Sequence, residues 1–251
     1  MGTRQRIDKL LVERGLVASR EEGRGRILAG EVLVADRPVT KVGSLVDGDA
    51  AIRFKSKASP YASRGGAKLE KALREFRLDV NGQVALDVGA STGGFTDCLL
   101  AHGARQVYAV DVGYGQLDWK LRNDRRVVVF EKTNIRYLEV NALPRPADLA
   151  TIDVSFISLK LVLPQVKTLL VPGAEIIALI KPQFEVGKGK VGKGGVVRSG
   201  AEHQRVIEEI GDAALALGYT VRGVTESPLL GPAGNKEFLI YLSPKDGQEP
   251  R

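Results

Sequence analysis

The sequence predicts an α/β protein, in which a small α+β module precedes a doubly wound parallel sheet with an antiparallel edge strand. From residue 65 onward, short apolar runs alternate with stretches of helical periodicity, which is the pattern of strand–helix–strand units in a parallel sheet. The last two apolar runs, YTVRGVTES and EFLIYLS, are joined by a loop too short for a crossover helix. We therefore expect these two runs to pair antiparallel at the sheet edge.

The segment KSKASPYASRGGAK interrupts both periodicities and predicts a linker. This places a first domain at residues 1–57, the linker at 58–64 and a second domain at 65–251. In the first domain, Ser19 and Glu22 form a capping-box pattern that opens a second short helix, and Gly15 and Gly30 are expected to end the two helices. In the second domain, the apolar runs predict strands near 84–88, 106–112, 127–131, 148–154 and 175–180, and helices at 95–102, 158–170 and 201–217.

Net charge, cysteine content and the length of apolar runs limit the possible partners and the cellular location of the protein. Lys and Arg number 37 against 30 Asp and Glu, a net charge of +7, which favours a polyanionic partner such as nucleic acid over a merely soluble basic protein. Cys98 is the single cysteine, so we predict neither a disulfide nor a metal site. No apolar run approaches the roughly 18 residues of a membrane span, and we expect a cytoplasmic protein.

The segment VALDVGASTGGFTDCLL has the layout of a nucleoside-binding loop. A strand ends near Asp87, and Gly89, Gly93 and Gly94 then lead into a helix, which lets a ligand approach the backbone closely. Ser91 replaces the second glycine of the dinucleotide motif G-x-G-x-x-G. Because Asp87 would repel a pyrophosphate but attract a cationic group, the loop favours S-adenosylmethionine over a dinucleotide.

Asp111 ends the next predicted strand, about 20 residues beyond the loop, which is the usual place of an acidic side chain that accepts hydrogen bonds from a ribose. Asn134 follows the third strand and is expected to contact the adenine, unless it serves only as a turn residue. The full predicted set for S-adenosylmethionine is Asp87, Gly89, Ser91, Thr92, Gly93, Gly94, Phe95, Asp111, Asn134 and Asp153.

A second glycine-rich stretch, GKGKVGKGG, has the spacing of a phosphate-binding P-loop between Gly187 and Lys193. Gly194 occupies the position where that motif needs a Ser or Thr for magnesium, so we reject this interpretation. We expect instead a basic loop over the active site that contacts substrate phosphates through Lys188, Lys190 and Lys193. An idle solvated loop is the alternative.

Six segments carry a resemblance to a known family: RIDKLLVERGLVASR, YASRGGAKLEKAL, LDVGASTGGFTD, TIDVSFISL, LIKPQFEVGKGKVGKGGVVR and GPAGNKEFLIYL. Over nearly the whole chain the sequence resembles the S4-domain ribosomal RNA 2'-O-methyltransferases called hemolysin A or TlyA, whose catalytic part is similar to the FtsJ-type RNA methyltransferases. The resemblance implies a Rossmann-like class I methyltransferase domain behind an S4-like RNA-binding domain. It also implies methyl transfer to a ribose of 16S or 23S ribosomal RNA, with cytidine as the acceptor.

Two other functions stay open at this point. One is a non-catalytic RNA-binding factor for ribosome assembly that retains the cofactor pocket. The other is a membrane-active hemolysin, against which the missing membrane segment argues.

The resemblance implies a catalytic Lys-Asp-Lys-Glu set at Lys68, Asp153, Lys181 and Glu237. Asp153 and Lys181 follow predicted core strands and should therefore converge at the carboxyl edge of the sheet. Lys181 is the candidate base for the ribose 2'-hydroxyl, and the two carboxylates are expected to orient the lysines. Phe156 is expected to pack in the core or to contact the cofactor or a base.

Basic residues of the first domain are candidates for contacts with ribosomal RNA or with ribosomal subunits. Two flank the start of the first helix and three lie on the second: Arg4, Arg6, Arg20, Arg24 and Arg26. Such residues can follow an RNA backbone, although a solvated helix face is the alternative. Arg64, next to Lys68, is expected to couple RNA docking to the active site.

Overall fold

The structure, a computed structural model, describes residues 4–28, 30–54, 60–187, 191–231 and 234–245, apart from the side chain of Lys193. The chain forms two compact units, Met1–Ser59 and Pro60–Arg251. Their boundary lies inside the segment 58–64, for which the sequence predicts a linker. Among the described residues, no helix has the length and apolar character needed to cross a membrane.

The first unit contains two helices and two small antiparallel sheets. Its elements are β1 (Arg4–Arg6), α1 (Ile7–Glu13), α2 (Arg20–Leu28), β2 (Val32–Val34), β3 (Arg37–Pro38), β4 (Leu45–Asp47) and β5 (Ile52–Phe54). β2 lies between β3 and β5, and β1 pairs with β4. The hydroxyl of Ser19 accepts a hydrogen bond from the backbone N–H of Glu22 at 3.1 Å, which confirms the predicted start of α2. The pairing of β1 with β4 is not predicted, because three-residue strands carry no readable periodicity.

The second unit is built on a seven-stranded sheet in the order β11-β12-β10-β9-β6-β7-β8. Its elements are α3 (Gly66–Phe76), β6 (Val84–Val88), α4 (Gly94–Ala101), β7 (Gln106–Val110), α5 (Trp119–Arg122), β8 (Val127–Phe130), β9 (Ala147–Ile152), α6 (Leu159–Thr168), β10 (Leu170–Ile180), α7 (Pro182–Glu185), α8 (Gly200–Ala216), β11 (Tyr219–Glu226) and β12 (Phe238–Pro244). The predicted doubly wound sheet is confirmed, and strand β6 has the predicted bounds.

Strands β6 to β10 run parallel, whereas β12 runs antiparallel to both of its neighbours. The final strand is therefore inserted between β10 and β11, and β11 forms the edge. Ile180, the last residue of β10, pairs with Phe238, the first of β12. Because of this register, the residue after β10 and the residue before β12 lie side by side at the carboxyl edge of the parallel strands.

The sheet is buried on both faces, so successive residues of a central strand enter two different cores. In β10, Ile176 and Ala178 pack with residues of α6 and α8. Ile177 and Leu179 pack on the opposite face with residues of α3 and α4. This explains why the central strands consist of continuous apolar runs rather than of alternating ones.

Asp87 is the exception within these apolar strands, because its side chain is fully buried in β6. Its two carboxylate oxygens accept hydrogen bonds from the hydroxyls of Thr96, at 2.6 Å, and Thr151, at 3.1 Å. Burial raises the pKa of Asp87 to about 7, although both hydroxyls favour the ionised form and lower it. The aspartate thus links β6 to α4 and β9 beneath the glycine loop.

Replacing this aspartate should change how stability depends on pH. The folded-state pKa of Asp87 lies above its ordinary value of 3.8, so its ionisation costs stability as the pH rises from about 4 to about 7. Each unit of pKa shift corresponds to about 1.4 kcal/mol. In urea titrations the native protein should therefore lose a few kcal/mol of unfolding free energy across this pH range. Asp87→Asn should not show this loss, so the difference in unfolding free energy between variant and native protein should grow in favour of the variant. Asp212→Asn, a surface control, should follow the native profile; parallel profiles for Asp87→Asn would contradict the assignment.

Candidate active site

The structure brings the four predicted catalytic residues to one edge of the sheet. Asp153 follows β9, Lys181 follows β10 and Glu237 precedes β12. Lys68 reaches the same edge from the first turn of α3, because its Nζ lies 2.5 Å from Oε2 of Glu237. The expected convergence at the carboxyl edge therefore occurs, with Lys181 and Glu237 adjacent in the strand register.

The first of two ion pairs joins Lys68 to Glu237 in a buried position. The side chain of Lys68 is only 10% exposed and that of Glu237 is fully buried. Within the described part of the chain, Oε1 of Glu237 has no hydrogen-bond partner. A Cβ at Gly231 would collide with this oxygen, so glycine there leaves room for the carboxylate. The pair thus retains one buried acceptor without a hydrogen-bond partner among the described residues, which is unusual for a buried carboxylate.

The second ion pair joins Lys181 to Asp153. Nζ of Lys181 lies 2.6 Å from Oδ1 of Asp153 and donates a hydrogen bond to the hydroxyl of Ser155 at 2.8 Å. The strand-end position of Asp153 is held by its own backbone N–H, which donates to the carbonyl of Val88 at 2.8 Å. Lys181 is therefore oriented by two groups on the loop that follows β9, of which the sequence analysis named only Asp153.

The three glycines of the loop after β6 have different neighbours. A side chain at Gly89 would collide with the carbonyl of Asp153, and Gly89 has a φ of +86°. A side chain at Gly93 would collide with Leu121, and one at Gly94 with Ser63. Only Gly89 therefore lies against the catalytic edge, while Gly93 and Gly94 allow close packing of α5 and of the chain entering α3.

Asp111 occupies the position expected of a ribose-binding carboxylate. It follows β7, and its two oxygens accept hydrogen bonds from the backbone N–H groups of Ser91, at 2.8 Å, and Gly113, at 2.7 Å. Each carboxylate oxygen has two acceptor sites, so both retain one for hydroxyl groups of a ligand. A narrow cavity of about 10 Å³ lies beside Asp111 and is lined by Ala90, Ser91, Ala109, Asp111, Gly113, Gln116, Leu117, Val129 and Glu131.

The other residues predicted to bind the cofactor fall into two groups. Ser91 and Thr92 are exposed at the turn of the loop, and Asn134 is partly exposed with its side-chain oxygen accepting from the N–H of Arg136 at 3.1 Å. Asp87 and Phe95 are buried. The structure gives these two residues a packing role beneath the loop, and their direct contact with a cofactor stays a prediction.

Phe156 does not pack in the core, which was one of its two expected roles. Its side chain is 90% exposed, and its backbone has a φ of +63°, which is unfavourable for a residue with a bulky side chain. The ring packs against that of Phe184 in α7, with centroids 4.9 Å apart. An exposed aromatic ring thus stands next to the Asp153 and Lys181 pair.

The candidate RNA-binding arginines of the first unit are partly paired. Asp8, which is nearly fully buried, accepts hydrogen bonds from Arg6 at 3.0 and 3.2 Å and from Arg20 at 2.6 Å. These guanidinium groups hold the pKa of Asp8 well below its usual range. Arg4 lies 3.6 Å from Asp47, and Arg24 is exposed on α2. Arg6 and Arg20 are thus fixed beside each other while remaining about half exposed.

Of the remaining basic candidates, Arg26 belongs to the first unit and the others belong to the second. Arg26 pairs with Glu22 at 3.2 Å and lies over the ring of Phe54, and Arg64 is exposed just before α3. Lys188 and Lys190 lie outside the described residues. Lys193 begins a short 3₁₀ helix, Lys193–Gly195, and its side chain is likewise outside the description.

Asn235, two residues before Glu237, makes contacts that were not predicted from the sequence. Its side-chain oxygen accepts a hydrogen bond from the N–H of Val197 at 3.0 Å, and its amide group donates to the carbonyl of Gly195 at 2.9 Å. The residue thereby ties the end of the second glycine-rich stretch to the chain two residues before Glu237. Its position inside GPAGNKEF was visible in the sequence, but its partners are distant along the chain and no local pattern indicates them.

Comparisons with known proteins agree with the fold of both units. The model of FtsJ-like methyltransferases matches residues 61–243, and that of S4 domains matches residues 5–52. The 16S/23S rRNA (cytidine-2'-O)-methyltransferase TlyA of Mycobacterium tuberculosis is 46% identical, over 96% of this chain and 91% of the relative. YqxC of Bacillus subtilis, named as a candidate rRNA methyltransferase, is 50% identical, over 98% of this chain and 88% of the relative.

A solved structure from Streptococcus thermophilus, described as a candidate hemolysin, has a TM-score of 0.77 and 43% identity, and the match covers 98% of this chain and 90% of that one. The family model thus spans most of the chain, and the relatives span nearly all of it. The chain belongs to the FtsJ-like methyltransferase family and carries an S4 domain ahead of a class I methyltransferase fold.

Proposed function

We propose that this protein transfers the methyl group of S-adenosylmethionine to a ribose 2'-hydroxyl of ribosomal RNA, at cytidine. The observation that carries the proposal is the pair of lysine–carboxylate contacts at the carboxyl edge, of which Lys181–Asp153 involves the residue whose carbonyl lies against Gly89. The name of the relative TlyA supports the cytidine acceptor. The substrate is ribosomal RNA or a ribosomal subunit, which places the protein in the cytoplasm.

The cofactor would be held by the loop after β6 and by the ends of β7 and β8. S-adenosylmethionine supplies an electrophilic methyl group when bound. Asp111 retains free acceptor sites for the ribose of the cofactor, and Gly89 lets the backbone approach without a side chain. Asn134 would contact the adenine through its amide group, because its oxygen already caps the following turn.

Lys181 is the proposed base. A ribose hydroxyl is a weak nucleophile at neutral pH, so its attack on the methyl group is faster when a base takes the proton as the bond forms. Only the neutral amine of Lys181 has a lone pair for that proton, so the ammonium that pairs with Asp153 must first release a proton to solvent. Asp153 and Ser155 fix the amine of Lys181 from one side, which directs its remaining face toward the substrate. Lys68 and Glu237 would position the ribose, with the slightly exposed amine of Lys68 donating a hydrogen bond to it and Glu237 holding that amine.

RNA would be bound by surfaces of both units. Arg6 and Arg20, fixed by Asp8, present two charged groups that suit a phosphate backbone. Phe156 presents an exposed ring on which a base of the substrate strand could stack. Both features fit an RNA substrate better than a small-molecule acceptor.

A direct assay tests the function. Purified protein incubated with methyl-labelled S-adenosylmethionine and ribosomal subunits should transfer label to RNA, and the modified ribose should resist nucleases that need a free 2'-hydroxyl. Label in cytidine 2'-O-methyl is the expected product. RNA binding without any label transfer from all subunit and free-RNA substrates would support the non-catalytic assembly factor instead.

The substitution Lys181→Arg tests the proposed base. Arginine keeps the positive charge that Asp153 needs but does not lose a proton in proteins, so the rate of methyl transfer should fall by about 10²- to 10⁴-fold. Cofactor binding, measured by calorimetry, should change little. Lys167→Arg, which alters an exposed lysine bonded to the carbonyl of Leu217 at 2.6 Å, is the matched control and should retain full activity. Near-native turnover of Lys181→Arg would exclude this lysine as the base.

The substitution Arg20→Gln tests the RNA surface of the first unit. One phosphate contact should be lost, so affinity for ribosomal RNA should fall several-fold and the slope of log affinity against log salt should decrease by about 1. Arg53→Gln removes an exposed arginine paired with Asp36 at 2.7 Å and provides the control for lost charge alone. Equal effects of the two variants in fluorescence-based binding would show that only net charge matters.

A further inference from the structure

We propose that Glu185 is a positioning residue for the reaction: it clamps the loop after β9 onto α7 and thereby holds Ser155 and Phe156 in register with Lys181. The inference rests on the proposed function, since it concerns the alignment of the proposed base. Glu185 itself does not contact the four catalytic residues.

The segments 153–159 and 181–185 contact each other at three places, which follow one another in the same order along both segments. At one end, Lys181 contacts Asp153 and Ser155 at 2.6 and 2.8 Å. In the middle, the rings of Phe156 and Phe184 pack together. At the other end, the carboxylate of Glu185 accepts hydrogen bonds from the hydroxyl of Ser158 at 2.5 Å and from the N–H of Leu159 at 2.8 Å. The two segments are therefore fastened at both ends and in the middle.

The carboxylate of Glu185 is buried, and both of its oxygens accept hydrogen bonds. The residue is only 8% exposed, and each of its carboxylate oxygens accepts a hydrogen bond at the start of α6. A negative charge at a helix start is favourable because the first backbone N–H groups have no partner inside the helix. Removing the carboxylate would leave the N–H of Leu159 buried without its acceptor, since Leu159 is itself 1% exposed.

The loop needs such a fastening because it is strained. Phe156 has a φ of +63° while its ring is exposed, so the residue gains little from burial that would offset this backbone conformation. A strained segment keeps its conformation only when the surrounding structure holds it. If the clamp at Ser158 and Leu159 is lost, the loop is free to relax between Val154 and Ile157, which moves Ser155 away from Lys181.

The clamp acts on the base and the exposed ring rather than on the proposed ribose site of the cofactor. Asp111 and Ser91 are held by hydrogen bonds of their own, to Gly113 and to each other. Asp153, the one residue of the predicted cofactor set on this loop, is held by the hydrogen bond from its own N–H to the carbonyl of Val88 at 2.8 Å. Loss of the clamp should therefore lower turnover at saturating cofactor and RNA, while cofactor affinity stays nearly unchanged. A general loss of stability would instead affect both.

The experiment compares Glu185→Ala and Glu185→Gln with Asp148→Asn. Asp148 lies at the start of β9, at the opposite end of this strand from the clamped loop, and its carboxylate also accepts a partly buried backbone hydrogen bond, from Val84 at 2.8 Å. We expect Glu185→Ala to lower kcat at least tenfold, Glu185→Gln to lower it less because one acceptor remains, and Asp148→Asn to keep kcat within twofold. Cofactor Kd should stay within twofold for all three variants. All activities are measured below the onset of thermal unfolding of each variant.

Amide hydrogen exchange supplies a second readout that needs no activity. Glu185→Ala should speed exchange in the segment 153–159, whereas Asp148→Asn should leave that segment unchanged. Native kcat in Glu185→Ala, a parallel loss of cofactor binding, or unchanged exchange would each overturn the clamp. If the native protein transfers no methyl group, the proposed function fails, and the exchange measurement still decides whether Glu185 fastens the loop. Should Glu185→Ala not fold, Glu185→Gln carries both comparisons.

Discussion

The insertion of β12 between β10 and β11 is the constraint on which the candidate active site depends. Because β12 runs antiparallel to β10, its first residues lie at the end where the parallel strands finish. Glu237 is thereby placed beside Lys181, although the two are far apart along the chain, and Lys68 follows through its contact with Glu237. A seventh strand in parallel orientation would place the same carboxylate at the opposite end of the sheet. The direction of one strand thus decides whether the four residues meet.

The charges gathered by this arrangement balance each other. Two lysines face two carboxylates, each at about 2.5 Å, in a region that is largely closed to water. Burying an ion pair costs desolvation that the attraction between the charges does not reliably offset, and apolar residues of similar volume are often as stable. The groups are therefore poor candidates for stabilising elements alone. Their arrangement is better explained by the proposed methyl transfer, which needs a proton acceptor and a positioned ribose at the same edge of the sheet.

The sequence predicts those features that neighbouring residues determine, and it misses those that depend on segments far apart along the chain. Continuous apolar runs predicted the strands, and the positions of Asp153 and Lys181 at strand ends followed from them. The resemblance to a family placed Lys68 and Glu237 in the same set, but their pairing required the strand order. The exposed ring of Phe156 was not predicted, because its exposure results from a left-handed turn that no local pattern marks. Gly93 and Gly94 were expected to face a ligand, whereas their tight packing against Leu121 and Ser63 comes from distant segments.

Unfavourable backbone conformations in the second unit are concentrated at the same edge. Among its described non-glycine residues, four have positive φ: Arg77, Ser91, Lys132 and Phe156. Arg77 ends α3, which is an ordinary position for such a residue. The other three follow β6, β8 and β9, where the loops must turn sharply and still present groups to a ligand. Residues with unfavourable backbone conformations tend to cluster at functional sites. The positions of these three residues therefore indicate the carboxyl edge as a functional site without reference to any charged residue. Phe156 combines the positive φ with an exposed ring, so neither local backbone preference nor burial accounts for the conformation of the loop after β9.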